Sequence, residues 1–217
     1  MTKKLPGRAL STEIGFISDV RLVNNFCDKN DYPACLNPTL SDLARRVESS
    51  DRNFPGVPRK VTKRDVSEAF KRVATHPDCV SILRTEFPGI ELGLARDIVF
   101  LWLALPFGWS ASPGYFQTCA RLITKLHCTH YSPSPTAGHL PFVSHMFVDD
   151  AMIVDVDFPG RLGQSVAAWG DCCIKVLGEW SVSQDTKDIE GQRGDSAILL
   201  GFHVSVGENE FIFLMRM

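Results

Sequence analysis

No hydrophobic run in this 217-residue chain approaches the roughly 20 residues that a membrane-spanning helix needs; the longest runs from Ile98 to Leu105. Nor does an apolar stretch follow Lys3 and Lys4, so no signal peptide is expected. The seven cysteines are odd in number and irregularly spaced, which excludes a patterned disulfide framework and points to free thiols in an intracellular compartment. Internal repeats and low-complexity tracts are absent, and without a G-x-S-x-G elbow a serine hydrolase is a poor reading. What remains, 44% hydrophobic and 22% charged residues, is ordinary for a globular protein with a real core.

The net charge of −2 conceals an asymmetry. Up to Arg64 there are 12 Lys/Arg against 7 Asp/Glu; from Asp65 onward there are 11 against 18. A basic front on an acidic body fits a nucleic-acid surface joined to a metal-binding centre, although charge runs more often mark solvated faces.

Pro33, Pro38, Pro55 and Pro58 restrict the first 60 residues to short elements, among them a helix from Leu40 to Val47 capped by Thr39 or Ser41. Val61 to Val66 reads as a strand, and Ser67 opens a helical turn through Val73. Val99 to Leu105 reads as a buried apolar run. Ser112 and Pro113 make a hydroxyl cap followed by proline at the first helical position, opening a helix with Phe116, Cys119, Ala120, Ile123 and Leu126 on one face. Strands Phe142 to Val148 and Ala151 to Val156, separated only by Asp149 and Asp150, form a hairpin. A helix from about Leu162 carries Val166, Trp169, Cys173, Val176 and Trp180 in one stripe. Strands Ile198 to Val206 and Glu210 to Leu214 end the chain. The mixed order predicts an α+β fold, an antiparallel sheet packed on helices.

Asp149 and Asp150 interrupt two apolar strands. Aspartates at a hairpin tip can simply supply turn chemistry; alternatively, a stiff hairpin aims two carboxylates at a divalent cation, the hard oxygen donors that Mg²⁺ takes. Two-metal chemistry needs a further carboxylate from another strand, and Asp65, at the end of Val61 to Val66, is the candidate. His127-Cys128-Thr129-His130, with Cys119 nearby, lacks the paired spacing of zinc sites and better suits a helix end.

Five segments, in order, resemble reverse transcriptases of retrotransposons. Asp19-Val20-Arg21-Leu22-Val23-Asn24 is similar to the Asp-X-Arg-X-X-Asn segment of their fingers. Lys63-Arg64-Asp65-Val66-Ser67-Glu68-Ala69-Phe70 resembles their first palm motif, and Leu105-Pro106-Phe107-Gly108-Trp109-Ser110-Ala111-Ser112-Pro113 the second. Phe147-Val148-Asp149-Asp150 resembles the aromatic-X-Asp-Asp box, and Ile198-Leu199-Leu200-Gly201-Phe202 the primer-supporting motif. The likeness runs from about Phe16 to Phe213.

The resemblance implies a polymerase palm with fingers and no thumb. Residues 1–62 would form the first part of the fingers and the approach to the palm. Residues 63–217 would form the palm, with an interleaved fingers segment at about 76–105. It implies RNA-directed DNA synthesis from dNTPs on an RNA template and a DNA primer, with two Mg²⁺ ions, or Mn²⁺ in their place, and no membrane partner. Asp65, Asp149 and Asp150 would be the catalytic carboxylates, with the Val66 carbonyl as a further metal ligand. Ser67, Glu68 and Ala69 would lie along the triphosphate, Phe70 would block a ribose 2′-hydroxyl, Phe107 and Gly108 would floor the incoming base, and Lys187 would stand near the leaving pyrophosphate. Three departures matter. Gly15 stands where relatives place a basic clamp, Arg64 replaces an apolar residue, and no thumb, RNase H, integrase or protease region is recognisable before Met217. They leave a second reading open: an inactive retroelement-derived domain that at most binds nucleic acid, its other domains lying elsewhere.

Overall fold

The computed structural model describes residues 19–132, 140–182, 193–194, 196–199, 202–206 and 211–215. They fall into two compact units, one of Phe70–Tyr115 with the chain up to Ala34, the other of Cys35–Ala69 with the chain from Phe116 onward.

In the second unit Thr39 and Asp42 start helix α2 (Leu40–Asn53), which follows a short helix α1 (Arg21–Asn25) of the first unit. The Asp42 carboxylate accepts from the Thr39 backbone N–H at 2.7 Å and from its hydroxyl at 2.8 Å, closing the helix start. Six residues beyond the expected Val47, the helix still runs; the ion pair between Glu48 and Arg52 lies in this extension. Its apolar stripe of Leu40, Leu43 and Val47 packs on Val61, Met152, Val154 and Val204.

Those partners belong to a four-stranded antiparallel sheet in the order β4 (Ser144–Phe147), β5 (Asp150–Val156), β1 (Arg59–Asp65), β6 (Arg193–Gly194). Strand β5 is buried at every position from Ala151 to Val156, so both its faces are covered. Helix α4 (Ser112–His127) buries Phe116, Ala120 and Ile123, and helix α5 (Arg161–Leu177) buries Trp169, Cys172, Cys173 and Leu177. His127 joins them, its ring nitrogens 3.0 Å from the Ser144 hydroxyl and 2.9 Å from the Ser165 carbonyl. Burial pushes its pKa down to about 4, so the ring is neutral at ordinary pH. His127 is therefore a packing residue at the end of α4, while Cys128 beside it is exposed. A second buried tie is Arg161, whose Nε donates to Asp155 at 2.8 Å while its other nitrogens donate to the Leu140 and Pro141 carbonyls at 3.1 Å.

In the first unit, helix α3 (Pro77–Val80) begins at Pro77, and strands β2 (Arg84–Phe87) and β3 (Ile98–Leu101) form a two-stranded ribbon. Of the run from Val99 to Leu105, which the sequence led us to expect buried throughout, only Leu105 is buried. Phe100 is 52% exposed and Leu103 70%, since among the described residues of this unit none forms a layer over the ribbon there.

Four further expectations shift. The helical turn begins at Ala69 as a 3-10 segment to Arg72, since Glu68 holds a positive φ of 54°. Ser112 lies inside α4, and its hydroxyl donates to the Pro106 carbonyl at 2.8 Å instead of capping. Trp180 lies beyond α5 and is exposed, while the run Ile198 to Val206 divides into β7 (Ser196–Leu199) and β8 (Phe202–Val206), which pair with β9 (Phe211–Met215).

Leu43, fully buried between α2 and the sheet, anchors this packing. Leu43→Ala is expected to lower the unfolding free energy by about 2–5 kcal/mol, measured by urea denaturation.

Candidate metal centre

Antiparallel pairing sets the geometry of the centre. Strands β1 and β5 pair from Arg59↔Val156 through to Asp65↔Asp150, which puts these two aspartates side by side at one end of the ladder. The hairpin between β4 and β5 turns one residue earlier than the sequence implied. Phe147 pairs with Asp150, so the loop is Val148 and Asp149 alone, and Asp150 is the first residue of β5. The Val66 backbone N–H donates to the Asp149 carbonyl at 3.0 Å, fastening the loop to the end of β1. One carboxylate oxygen from each of Asp65, Asp149 and Asp150 then lies within 4.8 Å of the others. Among the described residues no other group of His, Cys, Asp or Glu is so disposed.

The tip is strained. Val148 holds a positive φ of 53°, a left-handed conformation that a β-branched side chain disfavours at a cost on the order of 1–3 kcal/mol. Strain kept at a loop that aims carboxylates is the pattern of a functional site.

Electrostatics point the same way. Burial raises the Asp149 carboxyl above its ordinary 3.8 and the Asp150 charge adds to the rise, while Lys63 opposes it. Lys63 is the cation of the group, its Nζ 2.7 Å from Asp150 Oδ1. Sequence reasoning passed over this lysine, yet strand parity could have found it: two residues before Asp65, it lies on the same face of β1. Arg64 faces the other way, as parity predicts, and is buried.

Three hard oxygen donors so disposed fit a divalent cation. Burial above all, and the Asp150 charge after it, raise the Asp149 carboxyl, and a bound cation would oppose that rise.

The remaining expected residues are placed as follows. Val66 and Ala69 are buried, Ser67 is half-buried with its backbone N–H on the Ser181 carbonyl at 2.9 Å, and Glu68 is exposed. In the first unit the Phe70 and Phe107 rings pack with centroids 4.9 Å apart. Gly108 needs its φ of 103°, open to glycine alone. Asn24 clamps this turn, donating to the Gly108 carbonyl at 2.8 Å and accepting from the Ser110 N–H at 2.9 Å. Asp19 and Arg21 pair at the surface, 2.6 Å apart. Lys187 and Gly15 lie outside the described residues.

With sheet and site in view, the architecture is polymerase-like, an α+β fold with antiparallel sheets packed on helices. It is similar to the solved structure of a foamy viral protease-reverse transcriptase in complex with double-stranded DNA, with a TM-score of 0.59 at 15% identity over 98% of this chain. The chain spans 30% of the length of that viral chain, and the likeness is one of fold. No protein-family model matches the chain, and no curated protein matches it. Among the described residues no helix is long and apolar enough to cross a membrane.

The raised Asp149 carboxyl sets a pH dependence. A carboxyl whose folded pKa lies above its unfolded value favours the folded state below pH 3.8, and that contribution is lost as pH rises through the folded value. In EDTA, Asp149→Asn is thus expected to melt at a higher temperature than the parent at neutral pH. The gain should shrink towards zero below about pH 4, read by thermal unfolding across pH.

Proposed function

We propose that this chain is the fingers and palm of a reverse transcriptase, transferring nucleotides from dNTPs to a DNA primer 3′-hydroxyl on an RNA template. The observation that carries the reading is the meeting of Asp65 with Asp149 and Asp150, from distant parts of the sequence, within 4.8 Å. Supporting it are the polymerase-like fold and the order of the five motifs. On this reading residues 1–62 contribute to the fingers, as does a segment at about 76–105, and the palm begins at residue 63.

Asp65 and Asp149 would hold two Mg²⁺ ions, with Asp150 beside them and the Val66 carbonyl as a further ligand. Bound there, the ions would acidify the primer hydroxyl and stabilise charge on the transferred phosphoryl group. The protein's share is to keep the carboxylates stationary. Register along β1 and β5 fixes Asp65 and Asp150, and the Val66–Asp149 backbone bond fixes the loop. Ser67, Glu68 and Ala69 would line the triphosphate, with Lys187 near the leaving pyrophosphate. Phe70, braced by Phe107, would exclude a ribose 2′-hydroxyl by collision. RNA template, DNA primer and dNTPs are the partners, and other retroelement domains would complete the machine.

Primer extension on poly-rA/oligo-dT with Mg²⁺ or Mn²⁺ tests the reading. The parent chain is expected to extend, and Asp149→Asn and Asp65→Asn to lose at least about a thousandfold in rate, as when preorganised electrostatic stabilisation is removed. Phe70→Ala is expected to raise ribonucleotide incorporation relative to deoxynucleotide by about tenfold or more. RNA binding with no extension by any of these proteins would instead mark an inactive, nucleic-acid-binding domain.

A further inference from the structure

We propose that Lys63 is a built-in counter-cation of the carboxylate cluster, engaging Asp150 so that a divalent ion is held mainly through Asp65 and Asp149. This rests on the metal-centre reading above and assigns the three carboxylates unequal parts within it.

The pairing ladder makes the contact. Lys63 and Asp65 share a face of β1, and Asp150 on β5 is the direct cross-strand partner of Asp65. Lys63 therefore reaches Asp150 diagonally across the two strands, with Nζ 2.7 Å from Oδ1. Its own cross-strand partner, Met152, is fully buried in the core under α2, so the root of the lysine is fixed. Lys63 and Asp150 are 25% and 27% exposed, so the pair is only partly screened by solvent.

Two consequences follow. Without metal, three carboxylates within 4.8 Å would repel one another, and the ammonium offsets part of that repulsion. With metal, the same ammonium opposes a second cation nearby, most strongly at Asp150, which it already occupies. A single and a double positive charge about 5 Å apart at water-like permittivity repel enough to change a binding constant roughly tenfold. Lys63 thus trades metal affinity for order in the metal-free protein.

Mn²⁺ titration of the nucleic-acid-free protein, followed by electron paramagnetic resonance, tests this without reference to activity. Lys63→Met is expected to tighten Mn²⁺ binding roughly tenfold, and Lys63→Arg, which keeps the charge, to leave it near the parent value. In EDTA, Lys63→Met should also melt below the parent, and Mn²⁺ should close the gap. Asp150→Asn should weaken binding little in the parent and markedly more when combined with Lys63→Met. Lys63→Gln provides the same charge removal should the methionine variant fail to fold. Equal Mn²⁺ affinity in the parent and the charge-removing variants would overturn the role of Lys63 while leaving the metal centre intact. No Mn²⁺ binding by any of these proteins, the parent included, would overturn the metal-centre reading and this inference together.

Discussion

The antiparallel register of β1 against β5 is the constraint on which the candidate centre depends. Seven consecutive pairs, ending in Asp65↔Asp150, determine where the first carboxylate stands relative to the hairpin. A slip of one residue would turn Asp65 to the opposite face and bring buried Arg64 round in its place. Register of this kind is secured where a strand face is buried, and β5 is buried on both. The stripe of α2 covers Met152 and Val154, and these pair with Lys63 and Val61. The core thus specifies the alignment that the acidic end of the ladder uses.

Around that frame several unfavourable features meet at the acidic end of the ladder. Val148 carries left-handed strain, Asp149 is partly buried with a raised pKa, and a third carboxylate stands alongside. Elsewhere in the same unit buried charge is matched, as where Asp155 meets Arg161 and Arg46. Charge held away from water is costly, so three aspartates gathered within 4.8 Å are a local departure from what favours stability alone. Such violations are expected where function and stability compete.

Much of this was legible in the residues. The alternation around Asp149 and Asp150 gave the hairpin, and the strand ending at Asp65 was found to within two residues at its start. Parity alone turned Arg64 away. The places where reading failed share a cause, since each depends on what lies beyond the local pattern. An apolar run such as Val99 to Leu105 signals burial only if a second layer exists to cover it. Ser112 satisfies the local rule for a cap but finds the Pro106 carbonyl instead. The hairpin loop came one residue early because Val148 accepts a backbone conformation that propensity argues against. Lys63 and Asn24 take their meaning from cross-strand and long-range partners, Asp150 and the Gly108 turn.

A polymerase-like fold is compatible with more than one activity, so the weight rests on the site. Its chemistry is that of oxygen donors gathered for a divalent ion, and direct observation of the ion is the sharpest test. Anomalous scattering from crystals of the chain grown with Mn²⁺ should show density within coordination distance of both the Asp65 and Asp149 carboxylates. Crystals in which that position stays empty, or in which Mn²⁺ settles only elsewhere, would contradict the account.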